Sequence, residues 1–368
     1  MTEKKNKYSS IKYLKVFILS CIAFLFCIGF VSYIVDPFFQ FRVNTDGRYI
    51  LNPRFVNGGL AKHYDYNTVF LGSSMFQNLD MSVFRDNFPG TKPVKLSSGG
   101  MNITEMLYLY SFVQMDSVKD MVINIDMPLF ARMDKSMRYP AYLYEDKLIN
   151  KLKYLYGYET LVQFVPADIG MTLYFKNAED IPESFKMKTD IDNIGSDRLA
   201  SVFSADEVKH QYLNNIRGVS YLILDSMNYR MEKNWNETLE KLEIEKYPDI
   251  NHTFLFPSYS ALYWHHTRES GYYHNFMKFV HYFVQSVEKY KNVKVAFFFD
   301  REEITDLNHY SDITHFGPLL SDSIALNIYN PKYELTTANI GDKIQRTDSL
   351  INSFIEQNRD WLRFKNKE

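Results

Sequence analysis

The chain has 368 residues, of which 46% are hydrophobic, 23% charged and 16% aromatic. That composition excludes a disordered, collagenous or polytopic membrane protein. The net charge of −2 supplies no basic field for nucleic acid. Cys21 and Cys27 are the only cysteines and share one apolar stretch, which excludes a disulfide scaffold or cysteine-ligated zinc elsewhere.

Residues 16–35 (VFILSCIAFLFCIGFVSYIV) carry no charge. Twenty helical residues at ~1.5 Å each span the ~30 Å hydrocarbon core of a bilayer. Five lysines and one glutamate precede them, so the first 15 residues carry +4 and the remainder about −6 (−2 minus +4). The positive-inside rule then predicts a single-pass cell-membrane protein with a cytoplasmic basic tail (1–15) and an extracytoplasmic bulk. A cleaved signal peptide is the alternative, but SYIVDP offers no small-x-small cleavage site. Asp36-Pro37 ends the helix, and Phe38 and Phe39 are expected in an interfacial aromatic belt. Residues 36–66 read as a polar lead-in.

Residues 67–71 (NTVFL) form a short apolar run that meets Gly72-Ser73-Ser74, the pattern of a buried strand ending in a tight turn. Residues 93–97 (PVKLS) repeat it before Ser98-Gly99-Gly100. Asn102, with Glu105 three residues on, caps a helix reaching about Met115. A third strand is expected over 119–126 (KDMVINID). Alternation fades over residues 135–250, read as a mainly helical insertion. Strands return at 252–256 and 293–300, with helices over 268–291, 317–329 and 342–360. The order predicts an α/β domain over 67–368, with a parallel sheet and crossover helices.

Three turns carry candidate chemistry. In open α/β sheets ligands sit beyond the carboxyl ends of the strands. Ser74 follows the first strand there, and a serine becomes a nucleophile once a base takes its proton. Asp312-Ile313-Thr314-His315, after the last strand, offers a base and an acid to fix its tautomer. Gly100, after the second strand, lets a backbone N–H approach a substrate closely. Each is an ordinary turn when taken alone; their common rim and their order give them weight together. No Gly-x-Ser-x-Gly elbow surrounds Ser74, which argues against the ordinary α/β-hydrolase layout. Tyr263-Trp264-His265-His266 follow the fourth strand, either to stack on sugar rings or to fill the packed edge. His265, His266, His309 and His315 match no metal-ligand spacing, so no metal and no other cofactor is expected.

These blocks together resemble the SGNH (GDSL-like) hydrolase superfamily. The resemblance covers about 67–130 and 250–330. It implies a three-layer, flavodoxin-like sheet domain with Ser74 as nucleophile, His315 as base, Asp312 as acid and Gly100 as an oxyanion donor. The third block departs from the family pattern of Gly-x-Asn-Asp, reading Asn124-Ile125-Asp126. Either Asn124 substitutes as donor, or Asp126 is protonated or turned away, or the oxyanion hole has backbone donors only. The layout of one anchor and one exported domain is similar to that of proteins serving D-alanyl-lipoteichoic acid assembly. That likeness implies acyl transfer or ester hydrolysis on a cell-envelope polysaccharide or teichoic acid, and a membrane-bound O-acyltransferase as partner. The alternative is a non-catalytic scaffold for that partner.

Overall fold

The computed structural model describes residues 2–131, 136–182, 185, 189–196, 198, 201–215 and 227–362. Parts of the expected insertion, residues 216–226 among them, lie outside the described residues, as do the side chains of the basic tail up to residue 10.

Helix α1 (Thr2–Val35) precedes α2 (Pro53–His63), β1 (Thr68–Gly72), α3 (Met81–Asn87) and β2 (Pro93–Ser97). Next come α4 (Ile103–Tyr110), β3 (Asp120–Asn124), α5 (Met127–Ala131), α6 (Leu148–Tyr156) and α7 (Val165–Tyr174). Then follow α8 (Ala205–Asn215), α9 (Met227–Leu242), β4 (Asn251–Phe256), α10 (Ala261–Glu269), α11 (Tyr273–Val287), β5 (Val293–Phe297), α12 (Pro318–Asn327) and α13 (Ile340–Gln357). The five strands pair in parallel in the order β2-β1-β3-β4-β5.

The register shows that helices cover both faces of the sheet. Phe70 is level with Val122 and Thr253, whereas Leu71 is level with Ile123 and Phe254. Successive strand residues point to opposite faces, so Phe70 and Phe254 lie on different sides. Phe70 packs on Phe84 of α3, and Phe254 packs on Trp235 of α9 and Phe283 of α11. Burial on both faces explains why the strands read as near-continuous apolar runs. Strand order reverses at β1, whose neighbours are β2 and β3, and this opens a crevice above their carboxyl ends.

α1 contains a stretch, Ile11–Val35, long and apolar enough to cross a membrane as an anchor or a signal sequence. It ends before Asp36-Pro37 as expected. The aromatic belt does not form. Phe38 and Phe39 are fully buried, Phe38 against Phe55, Tyr154 and Phe164. The cause is a tight corner. The Asp36 carboxylate accepts the N–H groups of Gln40, Phe41 and Arg42 and the Tyr154 hydroxyl, folding the chain back onto α6. Within the polar lead-in, α2 forms with Pro53 in its first turn and an Asn52 cap, and packs on β2. The helix expected over 268–291 is two helices, α10 and α11, parted at Ser270-Gly271.

Lys95 sits in mid-strand on β2, fully buried, and its ammonium donates to the carbonyls of Gln77 and Leu79, each at 2.8 Å. Burial, reinforced by Arg198, pushes its pKa down to about 7. Between pH 7 and the ordinary lysine range near 10.4, the unfolded chain therefore holds more protons than the folded one. Stability attributable to this site is expected to rise with pH through that window, and the desolvation cost is fully present below it. Urea midpoints at pH 7 and pH 9 check this. The gain from pH 7 to 9 should be larger in the parent than in Lys95→Met.

Candidate functional site

Gly72 closes β1 where a side chain has no room. A Cβ there would lie 2.5 Å from Asn124 Cβ and 3.0 Å from a Phe76 ring carbon. Ser73 then caps a single 3-10 turn, Ser74–Phe76, which leaves Ser74 half-buried at the end of the sheet. The backbone N–H of Ser74 has no hydrogen-bond partner among the described residues.

The His315 loop is held from three sides. Ser260 donates its hydroxyl to the Ile313 carbonyl at 2.6 Å, and Tyr310 donates to the Ser258 carbonyl at 3.1 Å. Asn78, four residues after Ser74, donates to the Phe316 carbonyl at 3.1 Å, tying the serine turn directly to the histidine loop. Within the loop, one Asp312 oxygen accepts the N–H groups of Thr314 (2.6 Å) and His315 (2.8 Å). This local turn aims the second carboxylate oxygen at the imidazole.

These constraints bring together three side chains that the sequence separates by up to 241 positions. Ser74 Oγ lies 2.8 Å from His315 Nε2, and His315 Nδ1 lies 2.7 Å from Asp312 Oδ2. A carboxylate accepts only from a protonated Nδ1, which leaves Nε2 as the acceptor for the Ser74 hydroxyl. Burial pushes the Asp312 pKa up, but hydrogen bonds from the imidazole and from two backbone amides prevail and hold it below the usual aspartate value.

Gly100 is exposed with φ +63, the left-handed region that suits glycine. Two arginines grip this loop. Arg54 donates to the Gly99 carbonyl at 2.7 Å, and Arg138 donates to the Gly100 carbonyl. Both also bond the fully buried Glu105, whose backbone and side chain complete the predicted capping box with Asn102. With its carbonyl engaged, the Gly100 N–H remains without a partner among the described residues.

The segment Asn124-Ile125-Asp126 lies beside the serine turn. Asn124 ends β3, and the Ser73 hydroxyl lies 2.9 Å from Asn124 Oδ1 and 3.0 Å from one oxygen of Asp126. The other Asp126 oxygen accepts the Tyr259 hydroxyl at 2.6 Å. Burial, with Asp126 beside it, holds the Tyr259 phenol well above its ordinary pKa, so it stays a donor. Asp126 is thus tied into a network of acceptor contacts. Asn124 Nδ2 is buried with no hydrogen-bond partner among the described residues, a donor in reserve beside the serine turn.

A cleft of about 570 Å³ opens on the His315 side, lined by Gln77, Ser311, Asp312 and His315 from the sheet domain. Its other wall is Ser201, Val202, Glu207 and Gln211, from the segment expected as an insertion. Arg198, from the same segment, donates to the Asn78 carbonyl at 2.9 Å and pairs with Asp322 on α12. This brace carried no recognisable motif, and neither did Lys95 or the Arg54–Glu105–Arg138 cluster. Tyr263 and Trp264 are buried against Tyr259 and Phe299 and fill the packed edge. His265 and His266 do not join His315 in a metal-holding group among the described residues. No family model, curated protein or solved structure matches this chain.

Proposed function

We propose that this chain is a membrane-anchored, extracytoplasmic SGNH-like serine O-acyltransferase or esterase acting on a cell-envelope glycan or teichoic-acid-like polymer. The observation that carries the reading is the continuous Ser74–His315–Asp312 hydrogen-bond chain, whose Asp312 and His315 line the cleft.

In this reading Ser74 Oγ attacks the acyl carbonyl while His315 Nε2 takes its proton. The backbone N–H groups of Ser74 and Gly100 hold the oxyanion. Collapse breaks the ester bond, and His315 returns the proton to the departing alcohol, leaving an acyl ester on Ser74. A hydroxyl of the acceptor, or water, then gives its proton to His315 and attacks that ester. Ser74 leaves with the proton and the free enzyme is restored. Asp312 keeps Nδ1 protonated and steadies the imidazolium. The polar wall of the cleft, with its hydroxyls, amides and Glu207, suits a hydroxyl-rich acceptor.

Asn124 is the side-chain donor that the altered third block still offers. Asn124→Ala is expected to lower kcat about 100- to 1000-fold, the cost of one oxyanion-hole donor. A loss below tenfold in initial-rate measurements assigns the oxyanion to backbone donors alone.

The reading is tested with the full chain in detergent, a chromogenic short-chain ester and a polyol acceptor. Acyl groups recovered on the polyol mark transfer, and free acid alone marks hydrolysis. Ester loss that continues at the parent rate in Ser74→Ala defeats both. The Asp126 carboxylate, held between Ser73 and Tyr259, favours a second reading, a non-catalytic scaffold for a membrane-bound O-acyltransferase. Its mark is normal polymer acylation in Ser74→Ala cells when deletion abolishes it.

A further inference from the structure

Two helices beside α1 carry a stripe of apolar side chains that points away from the protein. On α6, Leu148, Ile149 and Leu152 are exposed (Leu148 by 77%), while Asn150 and Tyr154 face the interior. Along residues 162–173, Val162, Ile169 and Leu173 recur at helical spacing and are also exposed (Leu173 by 80%), while Val165 and Asp168 face inward. A surface helix of a water-soluble domain turns such a stripe toward its core. Here Tyr154, Leu155, Phe164 and Val165 already supply the core-facing side, so the outward stripe is a second apolar face, and on α6 it is flanked by exposed Lys153 and by Lys151, which pairs with Asp146.

The position of this face identifies what covers it. Both helices pack on α1. The Tyr156 hydroxyl donates to the Leu25 carbonyl at 3.0 Å, ten residues before the end of α1. At ~1.5 Å per residue that contact lies about 15 Å along the helix from its end. Gly29 and Ser32 are buried, yet Phe30, Val31 and Ile34 on neighbouring faces of the same turns are exposed. The outward stripes therefore lie on helices packed directly against the candidate span, and Tyr156 of α6 reaches well inside its length.

We propose that α6 and α7 form a second membrane contact, an apolar foot immersed in the leaflet nearer the globular domain, with Lys153 meeting lipid phosphates. This rests on α1 being a retained anchor. An interfacial helix with cations beside its apolar face binds a bilayer in this way. The foot fixes the orientation of the sheet domain. The Asp36 corner binds Tyr154 of α6, so α1, the foot and the domain meet at one junction and the cleft keeps a set height above the lipid.

The test uses the full chain with Cys21→Ala and Cys27→Ala, in liposomes of phosphatidylethanolamine and phosphatidylglycerol. Single nitroxide labels are placed at Leu148→Cys, Leu173→Cys, Ile22→Cys and Tyr229→Cys. Tyr229 is exposed on α9 and serves as the aqueous reference. Power saturation compares access by oxygen with access by a water-soluble nickel chelate. The expected oxygen-to-nickel ratio at 148 and 173 rises toward that at 22 and well above that at 229. Ratios equal to that at 229 overturn the foot. Shielding of 148 and 173 from both reagents also overturns it, because protein and not lipid then covers the face. An aqueous ratio at 22 marks failure of the anchor reading itself.

Discussion

Replacing Ser74 with alanine is expected to lower kcat by roughly 10⁴- to 10⁶-fold, the range seen when a triad member is removed from a serine hydrolase. His315→Ala should cost about as much. The double replacement should cost little more than either single one, because an unactivated serine and an unused base are equally idle. Asp312→Asn should fall by about 10⁴, since an amide presents its N–H to the imidazole and favours the wrong tautomer. The geometry underlies these expectations. The two hydrogen bonds are 2.8 and 2.7 Å long, and the loop that carries His315 is fixed by Ser260, Tyr310 and Asn78. Initial ester-hydrolysis rates over the four variants check the pattern. Multiplying losses in the double replacement would show that Ser74 and His315 act independently.

Glu105→Ala is expected to have the largest effect on stability among the polar residues near the site. Glu105 is fully buried and paired with Arg54 and Arg138, whose side chains are 23% and 40% exposed. Removing one partner of a buried pair costs about 3–5 kcal/mol. Here the lower end applies, about 3 kcal/mol, because both guanidinium groups keep access to water. Loss of the capping box adds to the cost. The shift in denaturation midpoint measures this. Activity should fall further than the folded fraction, because the same arginines hold the carbonyls of Gly99 and Gly100. Activity that follows the folded fraction alone would remove the arginine cluster from the positioning of that loop.

The sheet was legible because its strands are buried on both faces. Runs such as TVFL and HTFLF have no other reading once Gly72-Ser73 and Pro257 bound them. The turns of the site were legible only as a set, because each alone reads as an ordinary strand-to-helix turn and only their common rim and order single them out. Contacts across the fold were not. Nothing in PVKLS distinguishes a lysine facing water from Lys95, whose ammonium reaches the carbonyls below the serine turn. Phe38 and Phe39 read as an interfacial belt because the sequence does not display the Asp36–Tyr154 bond that folds them inward. The wall formed by Ser201, Val202, Glu207 and Gln211 comes from a segment with no motif, placed by the Arg198 contacts to Asn78 and Asp322. The outward stripes of α6 and α7 have the periodicity of a core face, and only the structure shows which way they point.

The central claim is that Ser74 is activated by His315. Intact-mass analysis of the full chain after treatment with a fluorophosphonate tests it most directly, because the probe reacts with a serine whose proton a neighbouring base removes. One adduct per chain is expected on the parent protein and none on Ser74→Ala or His315→Ala. A folded parent protein that takes up no probe, or an adduct that persists in Ser74→Ala, would contradict it.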